Sequence, residues 1–209
     1  KEFISSIPLP NLIRSLHPSA PDRVTDAASH LRFRDLIIVT LMLDRNKVSD
    51  LTWIYLPEKE IPIGRVHEPK NWSECMAPDG FTHLVSEYFC FRGDTIWRKS
   101  NAELIETTAR HLNSIGFITN GEVIDASVIR VPDAYPVLTV DYLKHYRTVI
   151  DYLANFENLH IIGRGGMFRY HNMDQVIETG MTVADRIILK HRGAAVPEIF
   201  NERAEAAVA

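Results

Sequence analysis

The sequence contains few of the residues that disulfide, metal or membrane chemistry requires. Two cysteines, Cys75 and Cys90, occur among its 209 residues, and their spacing matches no metal-binding motif. The longest apolar run, LIIVTLML at 36–43, has the length of a buried strand and is far shorter than the roughly 20 residues that a membrane span needs. We expect two buried, unbridged thiols in a reducing cytoplasm, with a disulfide between them as the alternative.

No excess of positive charge is present either. The chain has 23 basic and 27 acidic residues, which gives a formal net charge of −4. This charge provides no general attraction to nucleic acid or to anionic lipid. Because 45% of the residues are hydrophobic and 24% are charged, we expect a globular protein with one large or two small domains.

Several catalytic motifs are also missing. The chain contains no GxGxxG fingerprint and no nucleophile-elbow context around a serine. His145, His160 and His171 lack the spacing of a zinc-protease motif, so no metal site is expected. We interpret the aromatic run EYFCFRGDTIW at 87–97 as sheet core rather than as a platform for stacking bases.

Hydrophobic periodicity predicts an α+β fold. Strands are predicted at 3–9, 35–45, 51–58, 61–69, 81–91, 122–132 and 158–163. A turn or short helix is predicted at 11–21. Helices are predicted weakly at 25–31 and clearly at 100–116, 141–153 and 173–189. This order favours a mixed, largely antiparallel sheet with packed helices over a regular βαβ array. Residues 191–209 lose periodicity, and we expect a poorly ordered tail there.

The stretch HIIGRGGMFRYHNMDQVIETGMTVADRII, residues 160–188, is the most informative passage. A strand ends at Gly163 and Arg164 follows. Gly165 and Gly166 supply freedom for positive φ and leave their backbone amides unshielded by side chains. Asn172 is a good N-cap for the next helix. This pattern predicts a site for an anionic or hydrogen-bonding ligand, and the alternative is a flexible loop with a solvated arginine.

Two details of the last helix refine this prediction. Asp174 in its first turn would repel a bare phosphate, so we expect a ligand with an anionic part near Arg164 and an uncharged acceptor near the helix start. Gly180 and Ala184 lie on the apolar stripe of the helix, which predicts that another element approaches closely there.

Three further stretches accompany this passage in a family resemblance. The sequence resembles the amine-oxidase-like FAD superfamily. The resemblance rests on residues 163–187 and on three further stretches, TWIYLPEKEIPIGRVHEPKNWSECMAPDG at 52–80, DAYPVLTVDY at 133–142 and FISSIPLPNLI at 3–13. The sequence is most similar to UDP-galactopyranose mutases and to protoporphyrinogen-oxidase-like proteins of that superfamily. The match covers most of residues 3–189.

The resemblance implies that FAD is held mainly by an N-terminal Rossmann half that this chain lacks. The chain begins at Lys1 rather than Met, and we expect it to be the later part of a longer protein, inactive and without FAD on its own. By resemblance, Gly163 and Arg164 lie near the flavin or its diphosphate. Asn172, Met173 and Asp174 lie at the ribityl chain and the pyrimidine edge.

The resemblance also implies a substrate site. In sugar-nucleotide mutases the residues that correspond to Arg65, Tyr135 and Tyr170 hold the substrate diphosphate. The match is incomplete, because Phe168 replaces a frequent tyrosine, Asn172 replaces a bacterial aspartate, and His171 has no counterpart. These differences leave open whether the small-molecule substrate is a nucleotide-sugar or the substrate of an amine oxidase or desaturase.

The expected organisation has four parts. Residues 1–30 would leave the FAD domain, 31–155 would form the substrate-binding domain, 156–190 would be the flavin-contacting strand, turn and helix, and 191–209 would be the tail. The competing hypothesis is a stand-alone, non-enzymatic binding or assembly domain. A homodimer formed through exposed apolar surface is a further expectation.

Overall fold

The structure, a computed structural model, describes residues 1–119 and 121–193. Its helices are α1 (Leu9–Ser15), α2 (Asp22–Ser29), α3 (Thr95–Arg98), α4 (Asn101–Ser114), α5 (Tyr142–Leu153), α6 (Gly163–Met167) and α7 (Met173–His191). Its strands are β1 (Phe3–Ser5), β2 (Phe33–Leu43), β3 (Trp53–Tyr55), β4 (Arg65–His67), β5 (Thr82–Cys90), β6 (Val123–Pro136) and β7 (Leu159–Ile161). Two 3₁₀ helices cover Pro69–Asn71 and Glu74–Met76. The predicted α+β class with a largely antiparallel sheet is therefore confirmed.

The chain forms two compact units. The first contains Lys1–Phe33 and the chain from Tyr135 onward, and the second contains Arg34–Ala134. Residues 135–155 thus belong to the first unit, whereas the sequence grouped them with the second. The predicted functional division into 1–30, 31–155, 156–190 and a tail stays a prediction.

The second unit is built on a five-stranded sheet with the order β3-β4-β5-β2-β6. Strands β2 and β5 pair antiparallel over nine residues, from Asp35 opposite Cys90 to Leu43 opposite Thr82. Alternate residues of β2, from Ile37 to Leu43, are buried in a core that includes Leu104 and Leu112 of α4. One face of the sheet is therefore covered by α4, as period-two alternation requires.

Helix α4 has the termini that its sequence predicts. Ser100 accepts a hydrogen bond from the Glu103 amide, and the Glu103 carboxylate accepts one from the Ser100 amide, which completes a capping box. Gly116 follows the helix with φ of 80°. Local chemistry therefore determines where this helix begins and ends.

In the first unit, α1, α2 and α5 pack around one apolar core that also contains Phe168. Strands β1 and β7 form a two-stranded parallel sheet, with Phe3 opposite Leu159. Parallel sheets usually bury both faces, and two strands alone are marginally stable. Phe3 and Ile4 are nevertheless 59% and 54% exposed. This small sheet is therefore only partly covered within the described residues.

Helix α7 also has an exposed apolar face. Met173, Ile177 and Met181 are 78%, 56% and 64% exposed, and Val183 is buried. The close approach predicted at Gly180 is wrong for the described residues, because no atom lies within 4 Å of the position where its Cβ would be.

One other expectation needs correction. Cys75 and Cys90 are both free thiols, but Cys75 is exposed because it lies in the short 3₁₀ helix at Glu74–Met76 rather than in a strand. Most of the predicted tail, from residue 194 onward, lies outside the described residues.

Candidate functional site

The glycine-arginine stretch forms the short helix α6 rather than an open turn. Gly163 has φ of 72°, whereas Gly165 and Gly166 do not have positive φ. A Cβ on Gly166 would lie 3.0 Å from the Ser5 carbonyl oxygen, and one on Gly165 would lie 3.2 Å from the Ser6 carbonyl oxygen. The freedom for positive φ that these two glycines offer is therefore not used. These glycines are needed because α6 packs directly on the backbone that follows β1.

Arg164 closes the loop between α6 and α7. Its Nε and Nη2 groups both donate to the His171 carbonyl oxygen, at 2.9 and 2.6 Å. Its guanidinium lies 4.5 Å from the centre of the Tyr135 ring, and that ring stacks on Tyr170 at 5.8 Å. The alternative of a solvated arginine is therefore wrong, and three predicted site residues are close together in the first unit.

The positive charge of Arg164 is not balanced locally. Within residues 1–119 and 121–193, no carboxylate lies within ion-pair distance of its guanidinium. Burial lowers the pKa of the neighbouring His171, and the charges of Arg169 and Arg164 lower it further. The environment around Arg164 is thus electropositive and suits an anionic group.

The start of α7 adds hydrogen-bond donors beside this cation. The Asn172 amide donates to Gln175 Oε1 at 2.8 Å, so the helix is capped as predicted. Amides in the first turn have no acceptor within a helix and carry partial positive charge. Met173 and Asp174 provide such amides, and their side chains are exposed. Asp174 lines an open groove of about 480 Å³ along α7 with Ile177 and Met181.

Phe168, by contrast, is a core residue. Its backbone has φ of 52°, its side chain is 1% exposed, and its ring meets Phe33 edge-on at 5.1 Å. The position therefore stabilises the loop after α6 and has no ligand-facing hydroxyl.

In the second unit, Arg65 lies on β4, between β3 and β5. Its Nη2 donates to Glu87 Oε2 at 2.5 Å, and its guanidinium lies 4.2 Å from the centre of the Trp53 ring. The interpretation of Arg65 as an exposed edge-strand arginine is therefore wrong. Because Glu87 is 4% exposed and ionically paired, the charge of Arg65 is balanced beside the sheet.

An aromatic cluster of Trp53, His67 and Trp72 lies beside this ion pair. The ring centres of Trp53 and His67 are 4.4 Å apart, those of Trp53 and Trp72 are 5.1 Å apart, and those of His67 and Trp72 are 5.2 Å apart. Burial and the charge of Arg65 lower the pKa of His67 to about 4, so its ring is neutral at pH 7. The alternation of Trp53 and Tyr55 with Ile54 in the sequence indicates that one face of this strand packs and that the other can line a pocket. The contacts to His67 and Trp72 could not be predicted, because they depend on strand register and on the loop after β4.

The described residues place the predicted site residues in both units. Gly163, Arg164, Tyr135, Tyr170 and the start of α7 belong to the first unit, and Arg65 belongs to the second. No group of three or more histidine, cysteine, aspartate or glutamate side chains in the described part of the chain is arranged to hold a metal ion. None of the described helices combines the length and the apolar character that a membrane crossing needs.

Comparison with known proteins reveals similarity in structure alone. No protein-family model matches the sequence, and no curated protein is similar to it in sequence. The reduced form of a UDP-galactopyranose mutase aligns with 90% of this chain at a TM-score of 0.76 and 18% identity. A protoporphyrinogen-oxidase-like protein from Exiguobacterium aligns at 0.68 and 19% over the same share. A putrescine oxidase with two substitutions, made to redesign cofactor binding, aligns at 0.61 and 18%, again over 90% of the chain.

These similarities confirm the fold expected from the resemblance. The chain spans about two fifths of the length of the structures that it resembles, namely 41% of the first two and 42% of the third. Its fold therefore corresponds to part of the fold of each of these longer chains.

Proposed function

We propose that this chain is the substrate-domain and C-terminal part of an FAD-dependent oxidoreductase or mutase, and that it is inactive without the remainder of that protein. The observation that carries the proposal is the shared fold, which extends over 90% of this chain but only 41% of the mutase. The exposed apolar faces of the β1–β7 pair and of α7 support it, because further polypeptide would bury them.

The residues of the first unit fit a flavin. Arg164 has no carboxylate partner among the described residues, and the α7 first turn presents amides beside exposed Met173 and Asp174. A bound flavin would supply the electrons or the nucleophile of the reaction. The amides of Met173 and Asp174 would stabilise negative charge on its pyrimidine edge, and Arg164 would orient the loop that holds them. Gly163, at the start of α6, and Asn172, at the N-cap of α7, would lie at the two ends of the flavin-contacting segment.

One substitution separates ligand binding from folding. Met173→Asp adds an anion at the first position of α7, where acidic residues stabilise a helix but repel an anionic ligand. In the full-length protein this change should lower the flavin retained after gel filtration without lowering the melting temperature. Val140→Asp adds the same negative charge at a fully exposed position and should change neither flavin retention nor the melting temperature. Unchanged flavin retention in Met173→Asp would contradict a flavin contact at this helix.

Within this proposal, a nucleotide-sugar substrate would use Arg65, Tyr135 and Tyr170 for its diphosphate. The stacking of Tyr135 on Tyr170 supports a shared role for these two residues. Arg65→Ala in the full-length protein should then weaken the binding of UDP. The melting temperature of the variant distinguishes loss of binding from loss of the ion pair with Glu87.

The second candidate is the oxidation or desaturation of a less charged substrate. The pairing of Arg65 with Glu87 favours it, because a balanced arginine attracts a diphosphate less strongly than an isolated one. This function predicts that UDP binds neither the wild-type protein nor Arg65→Ala. UDP affinity therefore distinguishes the two candidates.

A stand-alone binding or assembly domain, including a homodimer through the α7 face, is the competing function. It predicts no flavin in any form of the protein and a dimer that dissociates when Ile177 and Met181 are made polar. We place the protein in the cytoplasm, because Cys75 is an exposed free thiol that a reducing compartment would preserve.

A further inference from the structure

The sheet of the second unit has one covered face and one face with polar and aromatic side chains. Trp53 and Tyr55 of β3 lie opposite His67 and Arg65 of β4, and Arg65 lies opposite Glu87 of β5. Trp53 and Tyr55 are 41% and 66% exposed. Contiguous exposed apolar surface marks a candidate ligand-binding or interaction site.

The geometry points to a binding site at this face: we propose that Trp53, His67 and Trp72 form a stacking site for a planar, uncharged ring of the substrate. The planes of the two indoles are inclined by 62°, and Trp72 is 50% exposed. The His67 ring lies within 5.2 Å of both indole centres, and its side chain is 12% exposed. All three rings thus contact one another, His67 is the least exposed of them, and the exposed surfaces of Trp53 and Trp72 are where a ligand ring would stack.

The charges around the cluster favour an uncharged ligand. Arg65 covers Trp53 but is paired with buried Glu87, so the two charges cancel. His67 is neutral at pH 7. A carboxylate would leave water without gaining an unbalanced cation here, and the Arg65 guanidinium already lies over the Trp53 ring and would repel an ammonium, whereas a neutral ring loses little by leaving water.

The loops that carry the two indoles are held in place by buried polar groups. The Asn71 side chain donates to the carbonyl oxygens of Ser49 and Leu51, at 3.0 and 2.9 Å, and so connects the chain before Trp53 to the chain before Trp72. The Glu68 carboxylate, 1% exposed, accepts hydrogen bonds from the Val48 and Ser49 amides. A cluster fixed in this way loses little side-chain entropy when a ligand binds.

Three phenols with the same ring test the proposal: p-cresol is uncharged, 4-hydroxybenzoate is an anion and tyramine is a cation at pH 7. Each is titrated into the isotope-labelled 209-residue chain, and the indole N–H signals of Trp53, Trp72 and Trp97 are followed by NMR. We expect p-cresol to shift the Trp53 and Trp72 signals saturably and to leave Trp97 unchanged. The two charged phenols should bind at least about fivefold more weakly.

Variants locate the site. Trp53→Leu and Trp72→Leu should each lower the affinity for p-cresol about fivefold, and Trp97→Phe should not change it. The wild-type titration alone overturns the proposal if no saturable shift occurs, if all three indoles shift alike, or if 4-hydroxybenzoate or tyramine binds as tightly as p-cresol.

This inference depends on the proposed function only in assigning the ring to a substrate, and the two can fail separately. If p-cresol binds at Trp53 and Trp72 but the full-length protein contains no flavin, the proposed function is contradicted and the proposed stacking site is supported. A flavin-containing protein whose indoles do not respond would contradict the site alone.

Discussion

Gly166 and Gly180 differ in their surroundings, although both are glycines in helices. A Cβ at Gly166 would lie 3.0 Å from both the Ser5 carbonyl oxygen and Ile161 Cγ2, and a Cβ at Gly180 would meet no atom within 4 Å. Gly166→Ala should therefore lower the free energy of unfolding by about 1–3 kcal/mol through overpacking. Gly180→Ala should raise it by up to about 1 kcal/mol through helix propensity.

Urea denaturation of both variants measures these free energies. Gly180→Ala is the matched control, because it is the same substitution in a helix without the steric contact. Equal effects of the two substitutions would show that α6 does not pack against the backbone after β1.

His67 makes stability depend on pH. Its pKa falls from 6.5 to about 4 in the folded chain, so the unfolded chain binds the proton first as the pH decreases. The stabilisation that neutral His67 gives to the folded chain is fully present above about pH 6.5. It is lost as the pH falls from 6.5 toward 4. The difference in unfolding free energy between wild type and His67→Gln should therefore change within that window.

An NMR titration of the His67 ring provides the direct check. The ring should stay neutral at pH 5.5, because its pKa is lowered to about 4. A His67 midpoint near 6.5 would contradict the burial of this ring beside Arg65.

At the residue scale, the sequence predicted identities better than contacts. Arg164 was singled out as a candidate ligand-binding residue and Asn172 as an N-cap, because glycine-arginine and N-cap patterns are local in the sequence. The purpose of Gly165 and Gly166 was missed because their neighbours, Ser5 and Ser6, lie about 160 residues earlier in the chain. Arg65 was recognised, but its partner Glu87 depends on the register of β4 and β5.

The segment between β2 and β3 depends on one buried carboxylate. Glu68 accepts hydrogen bonds from the amides of Val48 and Ser49 and from the Thr82 hydroxyl, at 2.7–3.2 Å. Glu68→Gln replaces one acceptor oxygen with a donor and leaves a buried amide or hydroxyl without its partner. We expect a loss of about 1–3 kcal/mol in unfolding free energy.

Hydrogen exchange identifies the affected element. The amides of Val48 and Ser49 should exchange faster in Glu68→Gln, and amides in α4 should exchange faster only in proportion to the global loss of stability. Glu74→Gln, at a side chain that is 83% exposed, is the control and should change neither. Unchanged exchange at Val48 in Glu68→Gln would contradict this role of Glu68.

At the element scale, local signals predicted most boundaries. The Ser100 capping box and Gly116 define α4, and Asn172 defines the start of α7. Helix α6 was not predicted, because its five residues include three glycines and its helical conformation is stabilised by tertiary packing. Helix α3 was not predicted either, since the aromatic run 87–97 was interpreted as sheet core.

At the scale of the whole molecule, large apolar side chains are exposed in the described residues of the first unit. Phe3, Ile4, Ile177 and Met181 are all more than half exposed in the first unit, and the β1–β7 sheet has only two strands. The α+β class could be predicted from the order of elements. The division into units at Phe33 and Tyr135 could not be predicted. Strand β2 crosses the first boundary and β6 crosses the second, and neither strand has a local break there.

The visible absorption spectrum tests the central claim most directly, that this chain provides one wall of a flavin site that further polypeptide completes. The full-length protein and the 209-residue chain are purified by gel filtration after incubation with FAD, and their spectra are compared. We predict that flavin bands elute with the full-length protein and that the 209-residue chain is colourless. Flavin bands that elute with the 209-residue chain, or a full-length protein without them, would contradict the claim.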